Sequence, residues 1–161
     1  MPIGRFLGGV AALIRDPNNG KYLLMRRSAR QDVGAGSWDC VSGRLEQGEG
    51  FEQALRREVR EESGLEVDID FVIATTHFFR GPRIVENELL GVIYACSLRG
   101  SPQVQASDEH SEQTWLSPAE ADSFLPSGHW LKTVIERAEL IRSGLPLGLA
   151  EFYRQAGFEL R

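Results

Sequence analysis

The chain has 161 residues, of which 42% are hydrophobic and 25% are charged, so it can bury the core of one globular domain over residues 1–161. Its net charge of −5 excludes a broad basic surface for nucleic-acid polymers, although a few local arginines suffice for a small phosphorylated molecule. The apolar N-terminal stretch is too short to span a membrane and lacks a signal-peptide pattern. Cys40 and Cys96 lack the spacing of a zinc or redox site, so we predict a cytoplasmic protein with two buried, reduced thiols.

In the first half of the chain, apolar runs and turn signals predict a hairpin, a short strand and a helix. The predicted strands cover residues 6–15, 21–27 and 38–41, and a turn at 16–20 joins the first two. The clearest helix covers residues 50–63. Ala54, Leu55 and Val59 form its apolar side, and Gly64 occupies the position of a C-cap with positive φ.

The second half of the chain predicts three more strands, over residues 67–79, 89–98 and 112–116. Ser117, Pro118 and Glu120 have the order of a helix start with a capping box. An amphipathic helix follows over residues 130–141, ended by Gly144, and the apolar tail predicts a last short helix. Antiparallel strands mixed with helices favour an α+β fold over a doubly wound sheet.

The helix over residues 50–63 carries an unusual excess of negative charge on one side. Glu58, Glu61 and Glu62 are spaced i, i+3 and i+4, which brings their carboxylates together on a helix. Like charges at this spacing are destabilising unless a positive charge lies among them. Carboxylate oxygens are the ligands that suit Mg²⁺ or Mn²⁺, so the pattern indicates a divalent metal site.

A longer motif surrounds these carboxylates. Gly43 is followed after five residues by Glu49, then after seven by Arg57-Glu58-Val59, then by Glu61-Glu62 and Gly64-Leu65. This order matches the Nudix box, GX₅EX₇REUXEEXGU with U aliphatic, at every defined position. The chain therefore resembles Nudix hydrolases of the MutT type.

The resemblance implies a fold and a reaction. The expected fold is the Nudix α/β/α sandwich, a mixed sheet with the box helix on one side and the C-terminal helix on the other. The expected reaction is Mg²⁺-dependent hydrolysis of a pyrophosphate bond in a nucleoside diphosphate linked to another group, such as a nucleoside triphosphate or a nucleotide derivative. Mn²⁺ is an alternative cofactor.

The resemblance also implies roles for individual residues. Metal ligands are expected from the carbonyl of Ser42 and from Glu58, Glu61 and Glu62, while Arg57 pairs with Glu49 and positions them. Glu61 is the first candidate for the general base. A further acid of MutT-like members lies six positions before a tryptophan, which predicts Glu109 before Trp115 as the second candidate. The catalytic set is thus Arg57, Glu61, Glu62 and Glu109, with Asp108 and Glu112 as rivals of Glu109.

Substrate contacts are less specific in the sequence. Arg27 and Arg44 are the candidates for binding phosphate, with surface salt bridges as the alternative. Trp38, Phe78 and Phe79 are candidates for stacking on a base, with burial in the core as the alternative. His77 and His110 have no partner spacing that indicates a nucleophilic triad or a zinc site.

Two other functions remain open at this stage. An enzyme similar to isopentenyl diphosphate isomerase shares the fold, but Cys40 lacks the Cys-rich, His-containing surroundings expected there. A non-catalytic ligand-binding Nudix domain commonly loses box glutamates, whereas this chain keeps all four. The segment before the box also departs from the family, because Cys40-Val41-Ser42-Gly43 replaces Phe-Pro-Gly-Gly. The substrate, the bond attacked and homodimerisation through residues 130–141 or the tail are not specified by the sequence.

Overall fold

A mixed β-sheet with helices on both faces forms the described part of the protein. The computed structural model describes residues 4–30, 33–105 and 107–160. Within these residues there are seven strands: β1 (Leu7–Arg15), β2 (Tyr22–Arg27), β3 (Trp38–Asp39), β4 (Val41–Arg44), β5 (Glu66–Phe79), β6 (Glu88–Arg99) and β7 (His110–Leu116). The helices are α1 (Phe51–Ser63), α2 (Pro118–Phe124), α3 (Trp130–Gly144) and α4 (Leu147–Ala156).

Strand β1 lies at the centre of the sheet. It runs parallel to β6 and antiparallel to β4, and β5 pairs with β6 at the outer side. The predicted hairpin of β1 and β2 is present only beside its turn, where Arg15 pairs with Tyr22. Beyond that point the strands diverge, because β1 continues along β4 whereas β2 pairs with β3 and β7.

The short strand predicted over residues 38–41 is also divided. Trp38 and Asp39 pair with β2, whereas Val41 starts the strand that pairs with β1. Cys40 is the residue at which the chain crosses between these two partners. The prediction of one strand was wrong here because strand pairing depends on distant segments, which the local pattern does not contain.

The two faces of the sheet each bury a separate core. Val10, Ala12 and Ile14 of β1 face α1, which contributes Ala54, Leu55 and Val59. The alternate β1 residues Ala11 and Leu13 face the other side, where the buried residues of α2, its C-cap and α3 are Ala121, Leu125, Leu131, Val134, Ile135 and Ala138. This arrangement confirms the α/β/α sandwich, with the box helix on one side and the predicted helix over residues 130–141 on the other.

The helix ends follow their local sequence signals in most places. Gly64 ends α1 with φ of 69°, and its N–H donates to the carbonyl of Arg60. The capping box of α2 is formed by Ser117 and Glu120. Gly144 is the last residue of α3 rather than its cap. In the part of the chain that the structure describes, no helix is both long enough and apolar enough to cross a bilayer.

Candidate active site

A cleft of about 950 Å³ opens over the first half of β1, between α1 and the ends of β5 and β6. Its walls carry both signs of charge. The acidic residues that line it are Asp39, Glu46, Glu58, Glu62 and Glu109, and the basic ones are Arg27, Arg44, Arg57 and Arg80. Seven of the eight sequence-predicted site residues line this cleft, and Glu61 does not; the seven are Arg27, Ser42, Arg44, Arg57, Glu58, Glu62 and, from the loop before β7, Glu109.

Arg57 donates hydrogen bonds to several glutamates of the box. It makes a bidentate pair with Glu49, with Nε to Oε1 and Nη2 to Oε2 both at 2.8 Å. Its Nη1 donates to Glu58 at 2.8 Å and to Glu61 at 3.2 Å, and its Nη2 donates to the carbonyl of Arg44. The hydrogen bonds from Arg57 lower the pKa of Glu49 to about 2. The predicted pair of Arg57 and Glu49 is therefore present, and it fixes the position of the carboxylates that follow on α1.

Glu58 occupies space that only a glycine leaves free. A Cβ atom at Gly43 would overlap the Glu58 carboxyl group, so the glycine of the box lets β4 and α1 approach each other. Burial raises the pKa of Glu58, and the neighbouring carboxylates of Glu61 and Glu109 raise it further, whereas Arg57 lowers it. We predicted that Gly43 allows a close approach to a metal, and the contact seen is with a predicted ligand.

Glu62 is the most buried carboxylate of the cleft, with 4% of the residue exposed. It accepts a hydrogen bond from the backbone N–H of Ser42 at 3.2 Å. Burial raises the pKa of Glu62 to about 9, and the negative charges of Glu58, Glu109 and Asp39 add to this effect. A carboxylate in such surroundings is stabilised when a cation binds next to it.

Among the candidates for the general base, Glu109 alone lines the cleft. Glu61 does not line the cleft; 61% of its side chain is exposed, and it pairs with Arg57. Glu109 lines the cleft, whereas its rivals Asp108 and Glu112 do not, and Glu112 pairs instead with Arg26 at 2.6 Å. Of Asp108, Glu109 and Glu112, only Glu109, the first candidate of the three, is near enough to Glu58 and Glu62 for its charge to raise their pKa values.

Arg27 and Arg44 both line the cleft, as expected of phosphate-binding residues. Arg27 donates from Nη1 to Asp39 Oδ2 at 3.1 Å and from Nε to the carbonyl of Val33. Only 16% of its side chain is exposed, so its guanidinium is fixed at the wall of the cleft. Arg44 is exposed and lies within the box, directly after Gly43.

Several residues of the site were missed in the sequence. Asp39 is a charged residue in an otherwise apolar short segment, which is the local signal for it; burial raises its pKa, while Arg27 lowers it. His110 was set aside for lack of partner spacing, yet its side chain is buried with Nε2 4.0 Å from Glu62. Burial and Arg27 lower the pKa of His110, so the ring is neutral at pH 7 and does not neutralise Glu62. No local sequence pattern indicates that Arg80 lines the cleft.

The aromatic candidates are divided between the cleft and the core. Phe78 lines the cleft and is 42% exposed. Trp38 instead packs edge-on against Phe124, with ring centroids 5.0 Å apart, although it lies close to the site. Phe79 lies under the guanidinium of Arg83 at 4.9 Å. Phe6 and Trp130, which we did not predict, also line the cleft with half-exposed rings.

The donor set of the cleft fits a hard divalent cation in an open site. Among the described residues, no three His, Cys, Asp or Glu side chains are placed to hold a metal ion together. Mg²⁺ typically keeps several waters and binds through one or two carboxylates together with substrate phosphates. Glu58, which lies against Gly43, and Glu62, which accepts the N–H of Ser42, provide carboxylates of this kind.

Comparison with known proteins identifies the family. The model of the NUDIX domain matches residues 5–138. The chain belongs to the Nudix hydrolase family. A CTP pyrophosphohydrolase of Escherichia coli (strain K12) is 36% identical over 112 residues, which are 70% of this chain and 76% of that protein. The nucleoside triphosphatase NudI of Salmonella agona (strain SL483) is 30% identical over 110 residues, 64% of this chain and 77% of that protein.

Solved structures of Nudix proteins have the same fold. The E. coli ORF135 protein, at 30% identity, superposes with a TM-score of 0.64 over 91% of this Nudix hydrolase and 99% of that chain. The MutT protein of Methanosarcina mazei Go1, at 24% identity, superposes with a TM-score of 0.70 over 91% of this chain and 100% of that one. At 24% identity, the similarity to the Methanosarcina mazei protein shows the fold alone.

Proposed function

We propose that this Nudix hydrolase cleaves a pyrophosphate bond of a nucleoside triphosphate with the help of Mg²⁺. The observation that carries the proposal is a pair of carboxylates, the buried Glu62 and the half-buried Glu58, that face a charged cleft from one side of α1. Relatives named as a CTP pyrophosphohydrolase and a nucleoside triphosphatase support a triphosphate as the substrate. A nucleoside diphosphate linked to another group is the second candidate, since the box specifies only the bond that is cleaved.

The carboxylates of the box would hold the metal. Glu58, Glu61 and Glu62, with the carbonyl of Ser42, are the proposed ligands of Mg²⁺, and Mn²⁺ suits the same oxygens. When bound, such an ion offsets the charge that develops on phosphate oxygens and lowers the pKa of bound water. Arg57 would keep the ligands in place through its hydrogen bonds to Glu58 and Glu61.

The remaining residues of the cleft would bind the substrate and move one proton. The oxygen of a water molecule forms a bond to phosphorus, the anhydride P–O bond breaks, and the leaving phosphate keeps the electron pair. Glu61 or Glu109 accepts the proton of the water. Arg27 and Arg44 contact phosphate oxygens, and the exposed ring of Phe78 is placed to contact the base.

The test is a substrate screen with the purified protein. Nucleoside triphosphates, nucleotide sugars, dinucleotides and coenzyme A are incubated with Mg²⁺ or Mn²⁺, and the products are resolved by chromatography. We expect a nucleoside triphosphate to give a nucleotide and phosphate or pyrophosphate. Reaction in ¹⁸O-labelled water then shows which phosphorus is attacked, because that product carries the label.

A variant links the observed activity to the box. Glu61→Gln keeps the shape of the side chain but removes its charge, and we expect kcat to fall by about 100-fold or more. Glu66→Gln, an exposed glutamate that pairs with Arg60 just after α1, is the matched control and should retain full kcat. Normal turnover of Glu61→Gln at saturating Mg²⁺ would remove Glu61 from the chemistry.

The other two functions give different results in the same screen. An isomerase would convert a prenyl diphosphate without cleaving it, and a binding domain would do neither. A cysteine-based isomerase is disfavoured because Cys40 is fully buried and burial raises the pKa of its thiol well above the usual value. The single domain, the cytoplasmic location and a homodimer stay predictions, the last testable by light scattering.

A further inference from the structure

The N-terminus of the box helix is capped by the C-terminal tail of the chain. Gly50 occupies the N-cap position of α1 and offers no side-chain acceptor to the first free N–H groups. The N–H of Phe51 donates instead to Glu159 Oε1 at 2.6 Å, and the N–H of Glu52 lies 3.5 Å from Glu159 Oε2. The negative carboxylate also lies at the positive end of the helix dipole, where it is favourable.

The contact is reciprocal. Oε1 of Glu52, in the first turn of α1, accepts hydrogen bonds from the N–H groups of Phe158 and Glu159, the latter at 3.1 Å. Each segment therefore satisfies the backbone of the other, as the two residues of a capping box do. In a capping box the partners are three positions apart, whereas here they are separated by 107 positions.

Glycines allow the two segments to come this close. A Cβ at Gly50 would overlap the Glu159 carboxylate. Gly157 has φ of 76°, and a Cβ there would lie 2.9 Å from the Glu52 carboxylate. A larger residue at either position would separate the two segments, so the arrangement depends on the local sequence of both.

Other contacts hold the tail against the sheet. The ring of Phe158 stacks on Tyr153 at 4.7 Å between centroids, meets the edge of Tyr94 at 5.9 Å and packs on the core under α1. Arg154 of α4 pairs with the buried Asp70 of β5 at 3.2 Å. The family model ends at residue 138, so α4 and Glu159 lie outside the matched region.

We propose that Glu159 is a positioning residue for the active site, which acts through the first turn of α1. Glu49 precedes the capped turn directly, and its carboxylate holds Arg57, which in turn holds Glu58 and Glu61. By fixing the start of α1, Glu159 also fixes the position of Glu49, and through Glu49 that of Arg57. The cap itself does not depend on which substrate the enzyme cleaves, so this inference goes beyond the proposed function.

Hydrogen exchange tests the cap without any substrate. In Glu159→Ala, the amides of Phe51 and Glu52 should exchange about fivefold faster than in the native protein, and Glu159→Gln should fall between, because its amide oxygen still accepts a bond. Glu151→Ala, at an exposed position of α4, is the matched control and should leave both amides unchanged. Equal exchange in Glu159→Ala and Glu151→Ala would overturn the cap. If Glu159→Ala does not fold, the same comparison is made between Glu159→Gln and Glu151→Gln.

Kinetics of nucleoside triphosphate hydrolysis test the positioning role. We expect Glu159→Ala to lower kcat about threefold to tenfold with KM within about twofold, at a temperature where circular dichroism shows it fully folded, and Glu159→Gln to recover part of kcat. Faster exchange with unchanged kcat would overturn the positioning role. If the native protein hydrolyses no nucleotide, the proposed function fails, and the exchange result still decides whether Glu159 caps α1.

Discussion

Buried carboxylates occur in two regions of the protein, and their electrostatic surroundings are opposite. Asp70 on β5 is 1% exposed and is surrounded by donors. Its oxygens accept hydrogen bonds from Ser97 at 2.6 Å and from Arg142 and Arg154 at 3.2 Å. Two positive charges thus face one negative charge, and the cluster ties α3 and α4 to the sheet.

Glu62 in the cleft is almost as buried as Asp70 but lacks such neutralisation. It accepts the N–H of Ser42, while burial first and then the carboxylates of Glu58, Glu109 and Asp39 raise its pKa. Burial without a cation is unfavourable for a carboxylate. The comparison distinguishes two roles for a buried carboxylate: Asp70 is neutralised by arginines of the chain itself, whereas Glu62 would be neutralised by the proposed Mg²⁺.

The largest expected effect comes from removing the charge of Glu62. Glu62→Gln should lower kcat by about 1,000-fold, which is about 4 kcal/mol of transition-state stabilisation, because a proposed metal ligand is lost. The metal-free variant should unfold at a higher temperature than the native protein at pH 7, because folding raises the pKa of Glu62 to about 9 and so requires this group to take up a proton, whereas glutamine needs none. Steady-state kinetics and thermal unfolding in EDTA measure the two effects. A loss of both activity and stability would mean that Glu62 is structural, as Asp70 is.

Asp70→Asn should show the reverse behaviour. It leaves Arg142 and Arg154 beside a neutral side chain, which should cost about 2–3 kcal/mol of unfolding free energy, while kcat of the folded variant stays within about twofold. Urea unfolding and kinetics on the same preparation give both values. Asp68→Asn is the matched control on the same strand, because Asp68 is exposed and lies 3.7 Å from Arg99. Its expected cost is about 0.5 kcal/mol. Equal costs for the two variants would contradict the structural role of the Asp70 cluster.

Substitution of Arg27 tests whether a positive charge of the cleft binds substrate phosphate or only stabilises the fold. Arg27→Ala should lower kcat/KM about tenfold, which is about 1.4 kcal/mol, because a phosphate contact is lost. Arg26→Ala is the control, since Arg26 is the preceding residue of β2 and pairs with Glu112 away from the cleft. If both variants keep the native kcat/KM while Arg27→Ala alone loses stability, the pair of Arg27 and Asp39 is structural.

Glu49 is the box carboxylate that resembles Asp70, because Arg57 neutralises it. Its folded pKa of about 2 lies below its ordinary value of 4.5, so its ionised form stabilises the fold. That contribution is fully present above about pH 4.5 and is lost as the pH falls towards 2. The difference in unfolding free energy between the native protein and Glu49→Gln should therefore shrink between pH 5 and pH 3 in urea titrations. A difference that does not change over this interval would contradict the assignment.

The contacts that the sequence predicted join residues that are close in the chain. Arg57 and Glu49 are eight positions apart on one loop and helix, so their pair follows from the box spacing. Gly64 and the Ser117 capping box are likewise local signals. The fold class followed from the same motif, because the box specifies one helix and the strands before and after it.

The parts that the sequence did not predict depend on contacts between distant segments. His110 reaches Glu62 from β7, and Glu159 reaches Phe51 across 108 positions. The divergence of β1 and β2 follows from their separate partners β4 and β7, which no pattern within the hairpin shows. Asp39 was visible as a charge among apolar residues, but only the pairing of β3 with β2 brings it to Arg27.

The dependence of hydrolysis on added metal tests the central claim most directly. The native protein is stripped with EDTA, shown to be folded by circular dichroism, and assayed with a nucleoside triphosphate while Mg²⁺ is added back. We predict no turnover without the ion, full recovery with it, and the same recovery in Asp70→Asn but not in Glu62→Gln. Turnover by the stripped protein that equals turnover with Mg²⁺ would contradict the account.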